Sequence, residues 1–170
     1  FGHPAFVEGV SRALQSRQLE PKRLLLEITE SAMLQLGEQT ERTMQALHGL
    51  GVDVAVDDFG TGYSSMAYLK LPAVAYLKID RSFVTGLPGK TNDAAIVEAV
   101  LAMSRSLGLC TIAEGIETET QHDFLLQAGC QEGKGYLYSY PLPPAAVARL
   151  LCPKPLRAAT RLKLVPPKRS

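Results

Sequence analysis

The stretch Val52-Asp53-Val54-Ala55-Val56-Asp57-Asp58 decides the fold, because it has the pattern of a buried strand that ends in two carboxylates. A nearly continuous apolar run is typical of a strand that is covered on both faces, as in a parallel sheet. On either side of this stretch, similar apolar runs occur at residues 23–28, 75–80 and 109–113, and a fifth strand is expected within residues 130–138. These runs predict a parallel sheet.

Segments with helical periodicity fill the intervals between the predicted strands. The expected helices span residues 5–17, 39–50, 65–69, 93–107, 119–128 and 143–151. Strands that alternate with helices indicate parallel β/α units. A complete eight-stranded α/β barrel needs about 250 residues, and this chain has 170. The predicted fold class is therefore α/β and TIM-barrel-like, an incomplete barrel of about five β/α units.

Charge is distributed unevenly along the chain, although the formal net charge is only +1. Residues 153–170 carry six basic side chains and no acidic one, so 12 basic and 17 acidic side chains precede them. An acidic body can hold a divalent cation, and a solvated acidic surface is the alternative. We expect a domain over residues 1–152 and a basic, proline-containing tail over residues 153–170. Dispersed charges of this kind are more typical of a solvated segment than of a site for a nucleic acid polymer.

The cysteines and the hydropathy pattern favour a cytoplasmic domain. Cys110, Cys130 and Cys152 are far apart and odd in number, which argues against a disulfide framework or a zinc site. No apolar run reaches the roughly 20 residues that a membrane-spanning helix needs. The start at Phe1 rather than at Met suggests a processed chain or a fragment.

Charged side chains occur at or just after the expected ends of four strands. They are Glu27, the pair Asp57 and Asp58, the pair Lys78 and Asp80, and the pair Glu114 and Glu117. The carboxyl ends of parallel strands meet at one rim, where α/β enzymes build their sites. Clustered carboxylates repel one another unless a cation neutralises them, and Mg²⁺ and Mn²⁺ take oxygen ligands. The pattern therefore predicts a divalent-metal site at this rim.

Several of these residues also have a purely structural interpretation. For Asp57 and Asp58 the alternative is an Asx turn or a helix cap. Glu30 is expected at the start of a helix, and Glu117 is equally interpreted as a helix N-terminal acid. A buried Lys78 needs an anionic partner, which is a phosphate, Asp80 or a carboxylate on a neighbouring strand.

A glycine-containing segment and a group of tyrosines leave similar alternatives. The glycines of Phe59-Gly60-Thr61-Gly62 allow close approach of backbone to a ligand, but a glycine loop alone is a weak phosphate signal. Tyr136, Tyr138 and Tyr140 either stack on a nucleobase or pack as alternate residues of a strand.

The sequence resembles the EAL family of cyclic-di-GMP phosphodiesterases in five segments that occur in the family's order. They are Leu26-Glu27-Ile28-Thr29-Glu30-Ser31, Asp57-Asp58-Phe59-Gly60-Thr61-Gly62-Tyr63-Ser64-Ser65, Lys78-Ile79-Asp80, Ala113-Glu114-Gly115-Ile116-Glu117-Thr118 and Gly135-Tyr136. The resemblance covers about Phe6 to Leu151. It implies a modified TIM barrel with a two-metal site of Mg²⁺ or Mn²⁺, which hydrolyses one phosphodiester of cyclic di-GMP and gives linear pGpG in bacterial signalling.

The resemblance also implies a role for each matching residue. Metal ligands would be Glu27, Asp57, Asp58 and Glu114, catalytic residues Lys78, Glu114 and Glu117, and substrate-binding residues Asp80, Lys134, Gly135, Tyr136 and Pro141. Lys78 would orient the attacking water. Glu30 would brace the loop after Asp58, which couples the site to dimer contacts in this family. The implied partners are cyclic di-GMP, a second copy in a homodimer, and an upstream sensory or GGDEF-type domain, with no nucleic acid polymer.

Three departures from the family pattern leave alternatives open. The Glu-Ala-Leu signature and an Asn-containing strand are absent, which fits a chain that begins about 80 residues into a barrel of typical length. Lys134 stands where the family usually has Gln, and a cation there replaces a metal's charge, contacts a phosphate or points outward. One alternative is a catalytically inactive module that binds cyclic di-GMP. With the resemblance set aside, a Schiff-base aldolase built on Lys78 is another.

Overall fold

Within residues 1–60 and 66–151, five parallel strands form a sheet in which they lie side by side in chain order. They are β1 (Leu25–Thr29), β2 (Asp53–Phe59), β3 (Val74–Ile79), β4 (Cys110–Glu114) and β5 (Glu132–Lys134). The structure is a computed structural model that describes residues 1–60 and 66–151, with the side chains of residues 34–36 excepted. The parallel order of the strands and the helices that connect them confirm the predicted α/β class with about five β/α units.

Helices precede, connect and follow the strands. They are α1 (Phe6–Ser16), α2 (Glu30–Leu36), α3 (Glu38–Leu50), α4 (Arg81–Val84), α5 (Thr91–Leu107), α6 (Glu119–Ala128) and α7 (Pro144–Leu151), with 3₁₀ turns at Pro21–Arg23 and Met66–Lys70. The sequence did not predict α4 or the extent of α2. Each begins directly after a strand, where Thr29 and Asp80 respectively accept a hydrogen bond from a backbone N–H of the first turn. These caps let strand turn into helix without a loop.

The first strand differs from its prediction in a way that matters for the site. The segment Pro21–Arg23 forms a 3₁₀ turn, so β1 begins at Leu25 instead of Arg23 and runs on to Thr29. Glu27 therefore lies in the middle of β1, and the prediction that it ends the strand is wrong. The other predicted elements agree with the structure to within two residues at either end.

The core consists of apolar side chains from strands and helices together. Val54 of β2 and Leu77 of β3 have no exposed surface, and neither does Leu47 of α3. Val97 of α5 is equally buried and belongs to the same cluster. Burying side chains of this size stabilises a fold by about 1.5–3 kcal/mol each, so the sheet is a firm base for the polar residues it carries.

The remaining sequence expectations concern thiols, membrane helices and the chain end. Cys110 is exposed and Cys130 is buried, and both are free thiols. Within residues 1–60 and 66–151 no helix has the length and apolar character to cross a bilayer. Cys152, the predicted tail over residues 153–170 and residues 61–65 lie outside the described residues.

Candidate functional site

Three carboxylates from three different strands surround the ammonium group of Lys78. Lys78 Nζ lies 2.8 Å from Glu27 Oε2 of β1 and 2.9 Å from Asp57 Oδ1 of β2. It also lies 3.0 Å from Glu114 Oε1 of β4. The side chain of Lys78 itself is only 3% exposed. We call this group, with the adjacent Asp58, the carboxylate cluster.

Strand order explains why the cluster forms. Lys78 is on β3, which lies between β2 and β4, and β1 lies beyond β2. In parallel strands the residues near the carboxyl ends share one rim, so neighbouring strands deliver their charged side chains to one place. The partner of Lys78 is therefore supplied by neighbouring strands, one of the alternatives that the sequence left open.

The three ion pairs dominate the protonation of Lys78. Burial favours the neutral amine and by itself lowers the pKa. The hydrogen bonds to Glu27, Asp57 and Glu114 favour the ammonium form and outweigh burial, so the pKa lies above its usual value. A Schiff-base lysine must instead be deprotonated to attack a carbonyl. The contacts of Lys78 therefore argue against the aldolase alternative.

Asp58, the fourth carboxylate of the cluster, has an unusual backbone conformation. Its φ of 54° lies in the left-handed region, which residues other than glycine seldom adopt. The strand β2 continues past Asp57 to Phe59, two residues beyond its predicted end, with a register shift against β3 over this stretch. The pKa of Asp58 is raised, first by burial and then by the negative charges of Asp57 and Asp80. A nearby cation would relieve this repulsion.

Glu30 connects the start of α2 to the segment after Asp58. It is the first residue of α2, is 7% exposed, and accepts a hydrogen bond from the Gly60 N–H through Oε2 at 3.3 Å. Gly60 has a φ of 90°, and a Cβ there would lie 3.3 Å from the ring of Phe83. The contact joins α2 to the residue that precedes segment 61–65, and the predicted bracing role of Glu30 stays a prediction because that segment lies outside the described residues.

Glu117 pairs with Arg81 at the rim. Arg81 Nη2 donates to Glu117 Oε1 at 2.6 Å. The helix α6 begins after its cap Thr118, whose side chain accepts from the backbone N–H of Gln121 in a capping box. Glu117 therefore lies before the cap, and its partner is Arg81 rather than the helix terminus.

Asp80 serves the backbone of α4. Its Oδ1 accepts a hydrogen bond from the Ser82 N–H at 3.0 Å, and the hydrogen bonds with Ser82 are the main reason why its pKa is lowered. In the part of the chain that the structure describes, Asp80 forms no ion pair with Lys78 and does not line the cleft beside Glu114. The substrate-binding role of Asp80 stays a prediction.

A cleft of about 690 Å³ opens beside Glu114. Its walls include four of the predicted substrate-binding residues, namely Lys134, Gly135, Tyr136 and Pro141, together with Glu117, Arg81 and Tyr140. Gly135 is required by space, because a Cβ there would collide with the backbone of Ile116. That close approach forms one wall of the cleft.

The three tyrosines divide into two roles. The rings of Tyr136 and Tyr140 stack on each other with centroids 4.6 Å apart, and they are 49% and 68% exposed. Tyr138 also lines the cleft, but it packs against the core and its hydroxyl lies 3.0 Å from Nδ1 of His122. Because β5 ends at Lys134, the tyrosines are not alternate residues of a strand. Tyr136 and Tyr140 present an exposed aromatic surface at the cleft, and Tyr138 is partly buried in its wall.

Sequence reasoning gave Arg81 no role in the site. The available signal was its position, since it directly follows Asp80 at the end of a strand whose other charges were assigned to the rim. Its side chain also fills the space beside Gly115, where a Cβ would collide with it. Only the folded chain shows that this position faces Glu117 and the cleft.

The carboxylate oxygens of the cluster are suitable ligands for a hard cation, but three of them are paired with Lys78. The carboxylate cluster offers only oxygen ligands, which Mg²⁺ and Mn²⁺ take. Among the residues that the structure describes, no three His, Cys, Asp or Glu side chains are arranged to hold a metal ion. The oxygens of Glu27, Asp57 and Glu114 contact Lys78 instead. Each of these carboxylates contacts Lys78 through one oxygen, so its second oxygen is the one that a cation can bind while Lys78 stays in place.

These features define a class before any relative is considered. A parallel β/α sheet that gathers carboxylates, a buried lysine and a cleft at one rim has the architecture of an α/β-barrel enzyme domain. The chain belongs to the EAL family, because the family model described as EAL domain matches residues 1–141.

Relatives of known name agree with this assignment. The chain is 43% identical over 143 residues to the bifunctional diguanylate cyclase/cyclic di-GMP phosphodiesterase MucR of Pseudomonas aeruginosa, which covers 84% of this chain and 21% of that protein. It is 41% identical over 169 residues to the cyclic di-GMP phosphodiesterase NbdA of the same organism, covering 99% of this chain and 21% of that protein. The chain thus spans about a fifth of the length of these curated relatives.

Solved structures confirm the barrel-like fold. The MucR phosphodiesterase in complex with c-di-GMP superposes with a TM-score of 0.81 at 42% identity, over 85% of this chain and 59% of that one. Klebsiella pneumoniae BlrP1, in a manganese/cy-diGMP complex, has a TM-score of 0.76 at 31% identity, over 82% of this chain and 36% of that one.

Proposed function

We propose that this domain hydrolyses cyclic di-GMP to linear pGpG with the help of Mg²⁺ or Mn²⁺. The observation that carries the proposal is the convergence of Glu27, Asp57 and Glu114 on buried Lys78 at the rim of a parallel sheet. It stands in a chain that is 43% identical to a protein named as a cyclic di-GMP phosphodiesterase.

The metal is assigned to the carboxylate cluster. Glu27, Asp57, Asp58 and Glu114 would hold the ions, which lower the pKa of water and stabilise charge on the reacting phosphate in an in-line displacement. The manganese/cy-diGMP complex of BlrP1 supports this choice of ion. Four carboxylates in one place also supply the negative charge that a divalent cation needs.

The chain's own groups then orient the reactants and move a proton. The Lys78 ammonium keeps its positive charge, so it fixes the carboxylate oxygens that it contacts and offsets negative charge that develops on phosphate oxygens. The carboxylates Glu114 and Glu117 both line the cleft, and we assign to one of them the acceptance of the proton of the attacking water.

The cleft fits a dinucleotide with two phosphates and two bases. Lys134 and Arg81 are cations in its walls and can contact phosphate oxygens. The exposed rings of Tyr136 and Tyr140 offer a flat apolar surface, and stacking of a base on such a ring is worth about 1–3 kcal/mol. We assign phosphate binding to the two cations and base stacking to the two tyrosines.

A second candidate function is a module that binds cyclic di-GMP without hydrolysing it. The observation that favours it is that lysines occupy the carboxylates, since Glu114 Oε1 lies 3.3 Å from Lys134 Nζ as well as 3.0 Å from Lys78 Nζ. If these ammonium groups keep the cation from Glu114, the cleft remains and the metal chemistry does not.

One assay separates the two functions. The chain is incubated with cyclic di-GMP and Mn²⁺, pGpG is followed by chromatography, and dinucleotide binding is measured in parallel by calorimetry. Hydrolysis predicts pGpG that forms with Mn²⁺, stops with EDTA and resumes when excess Mn²⁺ is returned. Binding without pGpG under all these conditions supports the second function, and the loss of both binding and product contradicts the two proposals together.

The assembly and location of the domain are further proposals. The strands β1 and β5 lie at the two edges of the sheet and pair on one side only within the described residues. Exposed strand edges favour pairing with another chain, so we propose a homodimer. The name of MucR, which pairs cyclase and phosphodiesterase activities, supports an upstream GGDEF-type domain. The free thiols Cys110 and Cys130 support the reducing environment of the cytoplasm.

A further inference from the structure

We propose that Lys134 weakens divalent-cation binding at the carboxylate cluster, because its ion pair with Glu114 must be displaced before the cation can use that oxygen. The inference rests on the proposed metal dependence and deepens it. Lys134 would raise the cation concentration that is needed to fill the carboxylate cluster.

The geometry places Lys134 and Glu114 opposite each other. In the parallel pairing of β4 and β5 the two residues are register partners at the last position of each strand. Lys134 Nζ lies 3.3 Å from Glu114 Oε1. The same oxygen is 3.0 Å from Lys78 Nζ, so two ammonium groups share one carboxylate oxygen.

The two lysines differ in what holds them. Lys78 is 3% exposed and has three carboxylate partners, so it is part of the site's fixed charge. Lys134 is 72% exposed and contacts Glu114 at the cleft wall. A side chain that reaches the site from solvent can move away, and therefore it acts as a competitor for Glu114 rather than as a structural support.

Two physical effects point in the same direction. An ion pair has to be broken before Glu114 Oε1 can bind a cation, and the ammonium charge also repels a divalent ion a few ångströms away. Solvent screening reduces both effects because Lys134 is exposed. We therefore expect removal of the Lys134 charge to tighten Mn²⁺ binding by about twofold to fivefold, within the range that such exposed pairs allow.

The chain offers a matched control in Lys90. Its Nζ lies 3.9 Å from Asp93 Oδ2, and its side chain is 74% exposed. Lys90→Gln changes the net charge by the same amount as Lys134→Gln and breaks a pair of similar exposure. Asp93 does not belong to the carboxylate cluster, so this variant reports only the general effect of net charge.

The experiment measures Mn²⁺ binding without substrate, by calorimetry and by the electron paramagnetic resonance signal of free Mn²⁺. It uses the 170-residue chain with Lys134→Gln, Lys134→Met and Lys90→Gln, each checked for folding by circular dichroism. Methionine has the length of lysine without a charge or an oxygen, so it separates loss of charge from gain of an amide ligand. The expected result is tightening of about twofold to fivefold in both Lys134 variants and a change of less than about 1.5-fold in Lys90→Gln.

Three outcomes would overturn the inference. Equal affinities in all three variants and the parent would show that Lys134 does not compete for Glu114. Tightening in Lys134→Gln alone would assign the gain to a new amide ligand. No Mn²⁺ binding in the parent or in any variant would overturn both this inference and the proposed metal dependence, whereas the first two results leave the proposed function standing.

Discussion

Lys78 is the residue on which the charge balance of the site depends. Its ammonium is within 3.0 Å of three carboxylate oxygens, although the side chain is almost fully buried. Removing one partner of a buried ion pair leaves the other charges without compensation, which is often more costly than the pair's net contribution to stability. The same residue is proposed to offset charge on the substrate, so its loss should affect both stability and turnover.

Lys78→Met tests whether Lys78 contributes to both stability and turnover. We expect the free energy of unfolding to fall by about 2–4 kcal/mol, because the three carboxylates then repel one another, and pGpG formation to fall at least about 100-fold. Urea unfolding and the chromatographic assay measure the two effects. Lys90→Met is the matched control, since its exposed pair with Asp93 should contribute less than about 1 kcal/mol. Equal stability of the two variants would contradict the role given to Lys78.

The ends of strands and helices position the charged residues of the site. The strand β4 delivers Glu114, and the following turn passes so close to β5 that Gly135 touches the backbone of Ile116. The cleft wall therefore depends on the absence of a side chain at one residue. Helix caps act at the same scale, because Thr29 and Asp80 turn β1 and β3 directly into α2 and α4.

Gly135→Ala tests the element scale. A Cβ at this position collides with the backbone of Ile116, which cannot move without shifting the link between β4 and α6. We expect a loss of about 1–3 kcal/mol in urea unfolding and weaker dinucleotide binding. Gly49→Ala in α3 is the control, because nothing lies within 4 Å of its added Cβ. Alanine in a helix is favoured over glycine by up to about 1 kcal/mol, so the two substitutions should have opposite signs, and a shared sign would contradict the packing argument.

The strands were predictable from sequence because apolar runs such as residues 52–56 have a strong pattern. Their parallel order was also predictable, and it brings the charged residues of four strands together at one rim of the sheet. The position of Glu27 within β1 was not predictable, since the 3₁₀ turn at Pro21–Arg23 shortens the strand at its start. The pairing of Lys134 with Glu114 depends on the register of β4 and β5. Register is a tertiary property that neither segment carries alone.

At the scale of the whole molecule, the sheet has two edge strands. β1 and β5 have a partner on one side within the described residues, and an unpaired edge is a template for association. We expect the 170-residue chain to elute as a dimer, with its mass measured by size-exclusion chromatography and light scattering over a range of concentrations. A stable monomer at all concentrations would contradict the proposed homodimer.

The central claim is that the carboxylate cluster carries metal-dependent hydrolysis of cyclic di-GMP. The most direct measurement is the rate of pGpG formation with Mn²⁺ in the parent chain, in Asp57→Asn and in Asp93→Asn. Both substitutions remove one carboxylate of low exposure that pairs with a lysine, but only Asp57 belongs to the cluster. The account predicts Mn²⁺-dependent product in the parent and in Asp93→Asn and a loss of at least about 100-fold in Asp57→Asn. Equal rates in the two variants, or no product from the parent at any Mn²⁺ concentration, would contradict it.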